Sequence, residues 1–390
     1  MNPDKQFPSV ADMEAVARRR IPGFMLDYLT GGLGGGVCVQ RNRQSLDEVV
    51  LLPRYLSDSG EPDIHCQLFD RTYDAPFGVA PLGLSGLVWA NSEVILAAAA
   101  KEHNIPYTLS TFATVDPEHI RPIAAENSWF QLYAPKTPKI VKSILERCLA
   151  VGYETVLLTV DVPAKTRREH DIRNGLSVPP NFDVRTVWQM VTHPNWALRM
   201  LFAGVPQFET VRPYYAEGSS RNVGRSIKAS TLFSQHHMGG HITAERFTYI
   251  RKLWPGKLLV KGVLSPEEAQ AYLDLGADGL VVSNHGGRQL DAAPSAVTVL
   301  PCIRAAVGPN VPLLADGGIR SGLDIARMLA LGADFVLLGR PFLYAVAALD
   351  KQGGTHVMKI LKEELQATMG QLGCPTLQDL PTFLYQVGAK

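Results

Sequence analysis

The stretch 283–291, Ser-Asn-His-Gly-Gly-Arg-Gln-Leu-Asp, puts a hydroxyl, an amide, an imidazole, two glycines and a guanidinium within six residues. An imidazole is a base that titrates near neutrality, and a guanidinium forks onto carboxylate or phosphate. Adjacent glycines let backbone approach a ligand closely. The apolar run just before it, Asp-Gly-Leu-Val-Val at 278–282, reads as a strand buried on both faces, so the polar cluster falls at a strand's C-terminal end. Residue types alone would also allow a solvated glycine-rich turn. A second cluster, Asp316-Gly317-Gly318-Ile319-Arg320, and a third, Gly339-Arg340, also end apolar runs. Glycine amides, an arginine and the N-terminus of a following helix together suit a phosphate, without selecting which one.

These clusters need a frame that brings strand ends together. Apolar runs recur at 77–80, 107–109, 129–132, 155–160, 258–260, 280–282, 312–315 and 335–338, mostly separated by helical stretches such as 92–102, 139–150, 266–275 and 323–331. Eight strands alternating with helices predict an α/β fold, a closed (β/α)8 TIM barrel, with an open doubly wound sheet as the alternative. Polar side chains or exposed backbone mark the end of each run: Pro81, Leu82 and Gly83; Ser110; Gln131 and Tyr133; Thr159 and Asp161; Lys261; Ser283 and His285; Asp316; Gly339 and Arg340. In a barrel all of these converge on one face, where barrel enzymes keep their sites. The runs ending at Asp316 and Gly339 are the seventh and eighth, whose loops commonly hold phosphate.

The remaining chain divides around this barrel. Residues 9–30 read as helices, with Ser9 as a cap and Val10, Met13, Val16 and Ala17 on one stripe, then Phe24, Met25, Tyr28 and Leu29 after Pro22. The glycine run 31–36 follows a helix rather than a strand, which argues against a nucleotide-binding loop. The expected layout is one domain over 1–390: a helical segment 1–75, a barrel 76–350 with an insertion or lid at 174–245, and a C-terminal helix and tail 351–390. Val357, Ile360, Leu361, Leu365 and Met369 trace a stripe that closes the barrel or meets another subunit. Within the insertion, 184–208 has no acidic residue and carries Trp188, Trp196, Phe202 and Phe208 beside Arg185 and Arg199. That mixture suits a membrane interface, and the alternative is a lid or subunit-contact helix. The histidines 236, 237 and 241 lie in a Ser/Gly-rich loop with no carboxylate or cysteine near, so no metal site is expected. A net charge of +1 gives no footprint for nucleic acid. Five cysteines without a C-x-x-C pair favour a reducing compartment, and neither a secretory signal nor a membrane-spanning run is predicted.

The 283–291 segment resembles the signature of the FMN-dependent α-hydroxy acid dehydrogenase/oxidase family, nearest to its membrane-associated L-lactate and (S)-mandelate dehydrogenase branch. The other landmarks extend the resemblance over almost the whole chain. It implies FMN, with its phosphate at Gly317, Gly318, Arg320, Gly339 and Arg340 and its ribityl chain on Asp316. Ser110, Gln131, Thr159 and Ser283 would bond the ring, with Pro81, Leu82 and Gly83 along it and Lys261 near N1 and O2. For the substrate it implies Arg168, Arg288 and Tyr28 on the carboxylate, His285 as base, Asp161 orienting that base, and Tyr133 bonding the reacting group. Arg168 is chosen over the adjacent Arg167 on that pattern alone. Phe112 stands where glycolate-specific members carry tryptophan, and Gly83 where many oxygen-using members carry alanine.

The function implied is oxidation of an L-2-hydroxy acid of lactate or mandelate type to the 2-oxo acid, with electrons passing to a quinone or respiratory acceptor. A homotetramer, cytoplasmic and peripheral on the inner face of the membrane through 184–208, is the matching expectation. The alternatives are an oxygen-using oxidase or monooxygenase, another FMN barrel such as a type 2 isopentenyl diphosphate isomerase-like enzyme, and a non-catalytic flavoprotein. The last two have no need of His285, Arg288, Arg168 and Tyr28 together.

Overall fold

In the computed structural model the described residues are 2–56, 60–174, 183–204, 207–215, 233 and 237–385. Ser9 opens the first long helix, α1 (Val10–Arg20), through a capping box with Asp12. Helices α2 (Gly23–Thr30) and α3 (Val37–Asp47) follow, and the glycine run joins them as a turn rather than a phosphate loop. Next comes an antiparallel hairpin, β1 (Cys66–Leu68) and β2 (Arg71–Tyr73). The sequence pattern missed it because strands this short carry little periodicity. It plugs the N-terminal end of the barrel: Tyr73, 1% exposed, packs edge-on against Trp129 and Phe335 at 6.3 and 5.8 Å.

Eight parallel strands close into a barrel in the order β10-β3-β4-β5-β6-β7-β8-β9. They are β3 (Phe77–Val79), β4 (Tyr107–Ser110), β5 (Ser128–Leu132), β6 (Thr155–Thr159), β7 (Lys257–Val263), β8 (Gly279–Val282), β9 (Leu313–Asp316) and β10 (Phe335–Leu338). All eight expected runs are present, and the open-sheet alternative is excluded by the β10–β3 pairing, Val336 opposite Phe77. Most are buried along their whole length, because barrel interior and helix layer cover their two faces. Register aligns the polar ends: Ser110 lies opposite Gln131, Thr159 opposite Lys261, and Asp316 opposite Leu337.

The outer layer comprises α4 (Ser92–Glu102), α5 (Pro117–Ala124) and α6 (Pro138–Ala150), the inserted pair α7 (Val184–Thr192) and α8 (Pro194–Ala203), then α9 (Ala244–Leu253), α10 (Pro266–Asp274), α11 (Ala296–Val307), α12 (Gly322–Ala330), α13 (Arg340–Leu349) and α14 (Gly353–Leu372). The α14 stripe of Val357, Ile360, Leu361, Leu365 and Met369 is buried against α4, α12 and α13 of its own chain. Its open choice therefore resolves to barrel packing.

The inserted pair has two faces. Inward, the Trp196 indole donates to the carbonyls of Leu87 and Val88 at 3.1 Å and meets Phe24 edge-on. Arg199 forks onto Asp350 at 2.9 and 2.8 Å. The guanidiniums of Arg199 and Arg20 lie 5.1 and 4.7 Å from the Trp89 ring centroid, and the Trp89 indole N–H donates to the same Asp350. Outward, Val184, Val187, Trp188, Val191, Leu198, Leu201 and Phe202 are all exposed. The aromatic set of the insertion thus splits, and Arg199 serves as an anchor to the barrel rather than as a solvent-facing cation. Among the described residues no helix is long and apolar enough to cross a membrane.

Candidate active site

His285 follows β8 in a left-handed conformation, φ 60°, which aims its ring across the barrel mouth. Its Nδ1 lies 3.0 and 3.1 Å from the two carboxylate oxygens of Asp161, at the end of β6. An ionised carboxylate can only accept, so Nδ1 carries the hydrogen and Nε2 presents its lone pair. Nε2 is 3.0 Å from the Tyr133 phenol, which donates to it. Burial holds the imidazole below its ordinary pKa, with Asp161 pulling the other way. Burial pushes Asp161 up, yet His285 and Lys261 outweigh it and hold the carboxyl below its usual value. Burial raises the Tyr133 phenol, keeping it neutral and a donor. Gly262 makes room for this pair, since a Cβ there, at φ 106°, would come within 2.5 Å of Asp161 Cγ.

Behind the dyad the polar ends bond to one another. Lys261 Nζ lies 2.9 Å from both Asp316 Oδ2 and Ser283 Oγ, and Ser283 Oγ donates to Asp316 Oδ1 at 2.6 Å. Burial disfavours the Lys261 ammonium, but Asp316 and Asp161 more than compensate and raise its pKa. A fully paired buried cation of this kind is retained at the cavity wall. A second chain runs from Ser110 Oγ to Gln131 Oε1 and from Gln131 Nε2 to Thr159 Oγ1, each 2.8 Å. Thr159, Lys261 and Asp316 line the cavity, while Ser110, Gln131 and Ser283 stand behind it and shape what those three present.

At the far end three guanidiniums converge. Arg288 donates to the carbonyls of Tyr28 and Gly31, Arg320 to that of Ile319, and Arg340 to those of Leu29, Gly31 and Gly286. Among the described residues none of the three has a carboxylate within ion-pair distance. Burial lowers the pKa of each, Arg340 down to about 9 with Arg320 and Arg288 adding to the effect. Half-buried cations that bond backbone carbonyls alone lack the negative charge that would offset their partial desolvation, and a bound anion supplies it. Gly317 and Gly318 bring backbone to the cavity at φ 109° and 87°. Of the two helices here, α12 is closed by Ser321 and Asp324, while α13 begins at Gly339 without a side-chain cap. The free helix N-terminus is therefore the one after the eighth barrel strand. This donor set fits a phosphate.

The cavity encloses about 790 Å³ and extends from these cations past His285 to the inserted segment. Pro81, Leu82, Gly83 and Gly339 form one wall, and the Tyr28 phenol donates to the Gly83 carbonyl at 3.1 Å. Arg288 lies 4.8 Å over the Tyr28 ring. Arg168 lines the cavity, 3.8 Å from Asp171, and Arg167 does not, which separates the adjacent arginines. Phe112 packs against Tyr133 and Phe208 at 5.3 and 5.0 Å, so Phe208 belongs to the site rather than to an outward face. Sequence reasoning missed Met238 and Ile242 in this wall, because the loop that delivers them has no period. It also missed the carbonyls of Leu29 and Gly31, which no side-chain pattern announces. His237 stacks on Phe233 and bonds Thr137 at 3.1 Å. His236 lies outside the described residues, as does most of the expected loop 221–240.

The pattern of the family described as FMN-dependent dehydrogenase matches residues 17–386. An L-lactate dehydrogenase of Acinetobacter baumannii (strain SDF) is 37% identical over 373 residues, 95% of each chain. One from Pectobacterium atrosepticum is 37% identical over 370 residues, 95% of this chain and 94% of its own. Among solved structures, the monotopic membrane protein (S)-mandelate dehydrogenase superposes with a TM-score of 0.91 at 34% identity, covering 97% of this chain and 99% of its own. A mandelate oxidase gives 0.82 at 32%, covering 98% and 100%.

Proposed function

This chain belongs to the FMN-dependent dehydrogenase family, with FMN as its cofactor, and from that premise we propose that all of 1–390 works as one catalytic domain oxidising an L-2-hydroxy acid of lactate or mandelate type to the 2-oxo acid. The observation that carries this reading is the His285 lone pair, backed by Asp161 and facing a cavity where Arg288 and Arg340 bond only backbone carbonyls. Such an arrangement removes a proton from a bound anion. Arg288 and Arg168 hold the substrate carboxylate, with Tyr28 as a further donor, and so fix the α-carbon at the base. His285 Nε2 takes the hydroxyl proton, Asp161 stabilises the imidazolium, and Tyr133 turns its phenol from Nε2 to the reacting oxygen. Bound FMN would supply the two-electron sink, accepting the α-hydrogen with the electron pair of its C–H bond as the hydroxyl proton passes to His285. Gly317, Gly318, Arg320, Gly339 and Arg340 would hold its phosphate and Asp316 its ribityl chain, with Pro81, Leu82 and Gly83 along the ring. Lys261 and Thr159, which line the cavity, would meet the ring, and Ser110, Gln131 and Ser283 would act on it through them. A lysine ammonium beside the ring favours the electron-rich state.

For the acceptor we propose a membrane quinone, reached with the outward apolar face of α7 and α8 seated on the inner leaflet, in a homotetramer. Supporting this are the seven exposed apolar side chains on that face and the monotopic character of the (S)-mandelate dehydrogenase neighbour. The oxidase neighbour supports a second reading, in which oxygen is the acceptor. Gly83 tests between them: a Cβ there meets nothing closer than 3.6 Å, so Gly83→Ala fits without strain and its effect on reoxidation is interpretable.

The decisive experiment is to mix the yellow protein anaerobically with lactate, mandelate, glycolate and longer 2-hydroxy acids. Rapid bleaching by one of them is expected, with slow recolouring in air and fast recolouring by a soluble quinone. Absence of bleaching by every acid in fully FMN-loaded protein would overturn the assignment. Cosedimentation with anionic vesicles tests the apolar face, where Trp188→Glu with Phe202→Glu is expected to lower binding more than tenfold, since each buried aromatic contributes roughly 1.5–3 kcal/mol. Light scattering checks the tetramer.

A further inference from the structure

Two of the loops that carry these residues, those after β8 and β9, are touched by one helix outside the barrel. His285, Gly286 and Gly287 are consecutive residues at φ 60°, 63° and 79°. A histidine keeps such a conformation only where its surroundings over-determine it. The neighbouring Asn284 does much of that. Its Oδ1 accepts from Gly287 N at 3.1 Å and from Asn42 Nδ2 at 2.9 Å. Its Nδ2 donates to Asn42 Oδ1 at 2.7 Å and to the Pro294 carbonyl at 2.9 Å. Every donor and lone pair of the amide is used, and both asparagines are buried, at 1% and 3% exposure. A reciprocal amide pair of this kind has one geometry, which an apolar contact of equal size would not impose.

Asn42 belongs to α3, and that helix also faces the other loop. A Cβ on Gly318 would come within 2.8 Å of the Asn42 carbonyl oxygen, and one on Gly317 within 3.5 Å of Asn42 Nδ2. The next residue, Arg43, donates to the Gly318 carbonyl at 2.7 Å and to Asp324 at 2.6 Å. Consecutive residues of one helix therefore tie down the turn that carries the base and the loop that carries the phosphate glycines.

We propose that Asn42, through its reciprocal amide pair with Asn284, is a positioning residue for His285, holding the base in register with the phosphate loop. The proposal rests on reading His285 as the base. Asn42 touches neither substrate nor cofactor, so a purely structural asparagine is the competing account, and the test must separate the two. A comparator exists at the opposite end of the barrel: Asn127, 5% exposed, donates to the Ala100 carbonyl at 3.2 Å, and the base is not among its partners.

The experiment uses the FMN-loaded full chain carrying Asn42→Ala, with Asn127→Ala beside it. Anaerobic flavin reduction is expected to fall about 10- to 100-fold in Asn42→Ala, the effect of a misplaced reacting group, while FMN and substrate dissociation constants change less than about threefold. The His285 ring signal, followed in ¹³C-histidine-labelled protein, is expected to titrate at a changed pH. Asn127→Ala is expected to unfold at lower temperature with its reduction rate intact. Asn42→Asp keeps the bond accepted from Asn284 but cannot donate in return, so it is expected to fall between wild type and alanine, and it carries the decision if the alanine variant does not fold. Wild-type reduction with an unmoved His285 signal would overturn the proposal, as would loss of FMN in proportion to loss of rate. If no acid bleaches the wild type, the assigned reaction fails on its own, and the His285 signal still decides whether Asn42 positions that ring.

Discussion

The two ends of the barrel handle charge in opposite ways. At the N-terminal end two arginines each have a carboxylate, and the arrangement repeats. Arg251 at the end of α9 pairs with Asp278 at 2.6 Å, and Asp278 also accepts from Leu258 N at the start of β7. Arg304 in α11 pairs with Asp334 at 2.6 Å, and Asp334 accepts from Leu313 N at the start of β9. Both aspartates close the same tetrapeptide, Leu-Gly-Ala-Asp, at 275–278 and 331–334. At the C-terminal end Arg288, Arg320 and Arg340 spend their hydrogen bonds on carbonyls, and His285 is held at positive φ. One end is satisfied by its own chain; the other is built around groups that the chain leaves for a ligand. Stability and chemistry are thereby assigned to different ends of the same strands.

Mutation should reproduce that division. His285→Ala at the open end has the largest expected effect: flavin reduction falls by about 10²–10⁴-fold in anaerobic stopped flow, with FMN still bound. Arg340→Gln is expected to weaken FMN binding by about 2–5 kcal/mol, read by ultrafiltration, because a desolvated cation facing an anion is removed. The pH profile follows from signs. The base must be neutral, and burial holds His285 below 6.5, so kcat/KM should rise on the acid side of 6.5 and stay level above it. Asp161→Asn removes the influence that raises that pKa, so the limb should move further toward acid while the rate drops on the order of 10²-fold. Asp278→Ala and Asp334→Ala at the closed end should each lower stability by about 1–2 kcal/mol in urea melts, from the lost bond to a strand N–H, and leave the reduction rate unchanged. A large rate loss in either aspartate variant would erase the division between the ends.

Much of this was legible because barrel strands are long apolar runs and their polar ends stand out against them. Each of the eight runs fell on a strand, and the convergence of strand ends brought Asp161 and Tyr133 into bonding distance of His285, and Lys261 into bonding distance of Asp316. What stayed hidden depends on groups without a periodic signature. The hairpin at Cys66–Tyr73 is too short to alternate convincingly. Asn42 reads in sequence as one polar residue among several on a surface helix, and only the closed barrel brings Asn284 to it. The insertion was legible as aromatic and basic but not by face. Trp196 and Arg199 turn inward because Phe24, Trp89 and Asp350, all distant in sequence, await them.

That last contact bears on how such a segment could be gained or discarded. Trp89 and Asp350 belong to the barrel, yet Asp350 receives both the Trp89 indole and the Arg199 fork, and Trp89 is flanked by arginines from α1 and α8. Excising α7 and α8 would strip one guanidinium from that indole and leave the carboxylate with the indole N–H alone. The inserted helices are therefore not an interchangeable cassette. A transplant into a relative lacking them would have to carry its receptor residues, Trp89 and Asp350, along with the helices.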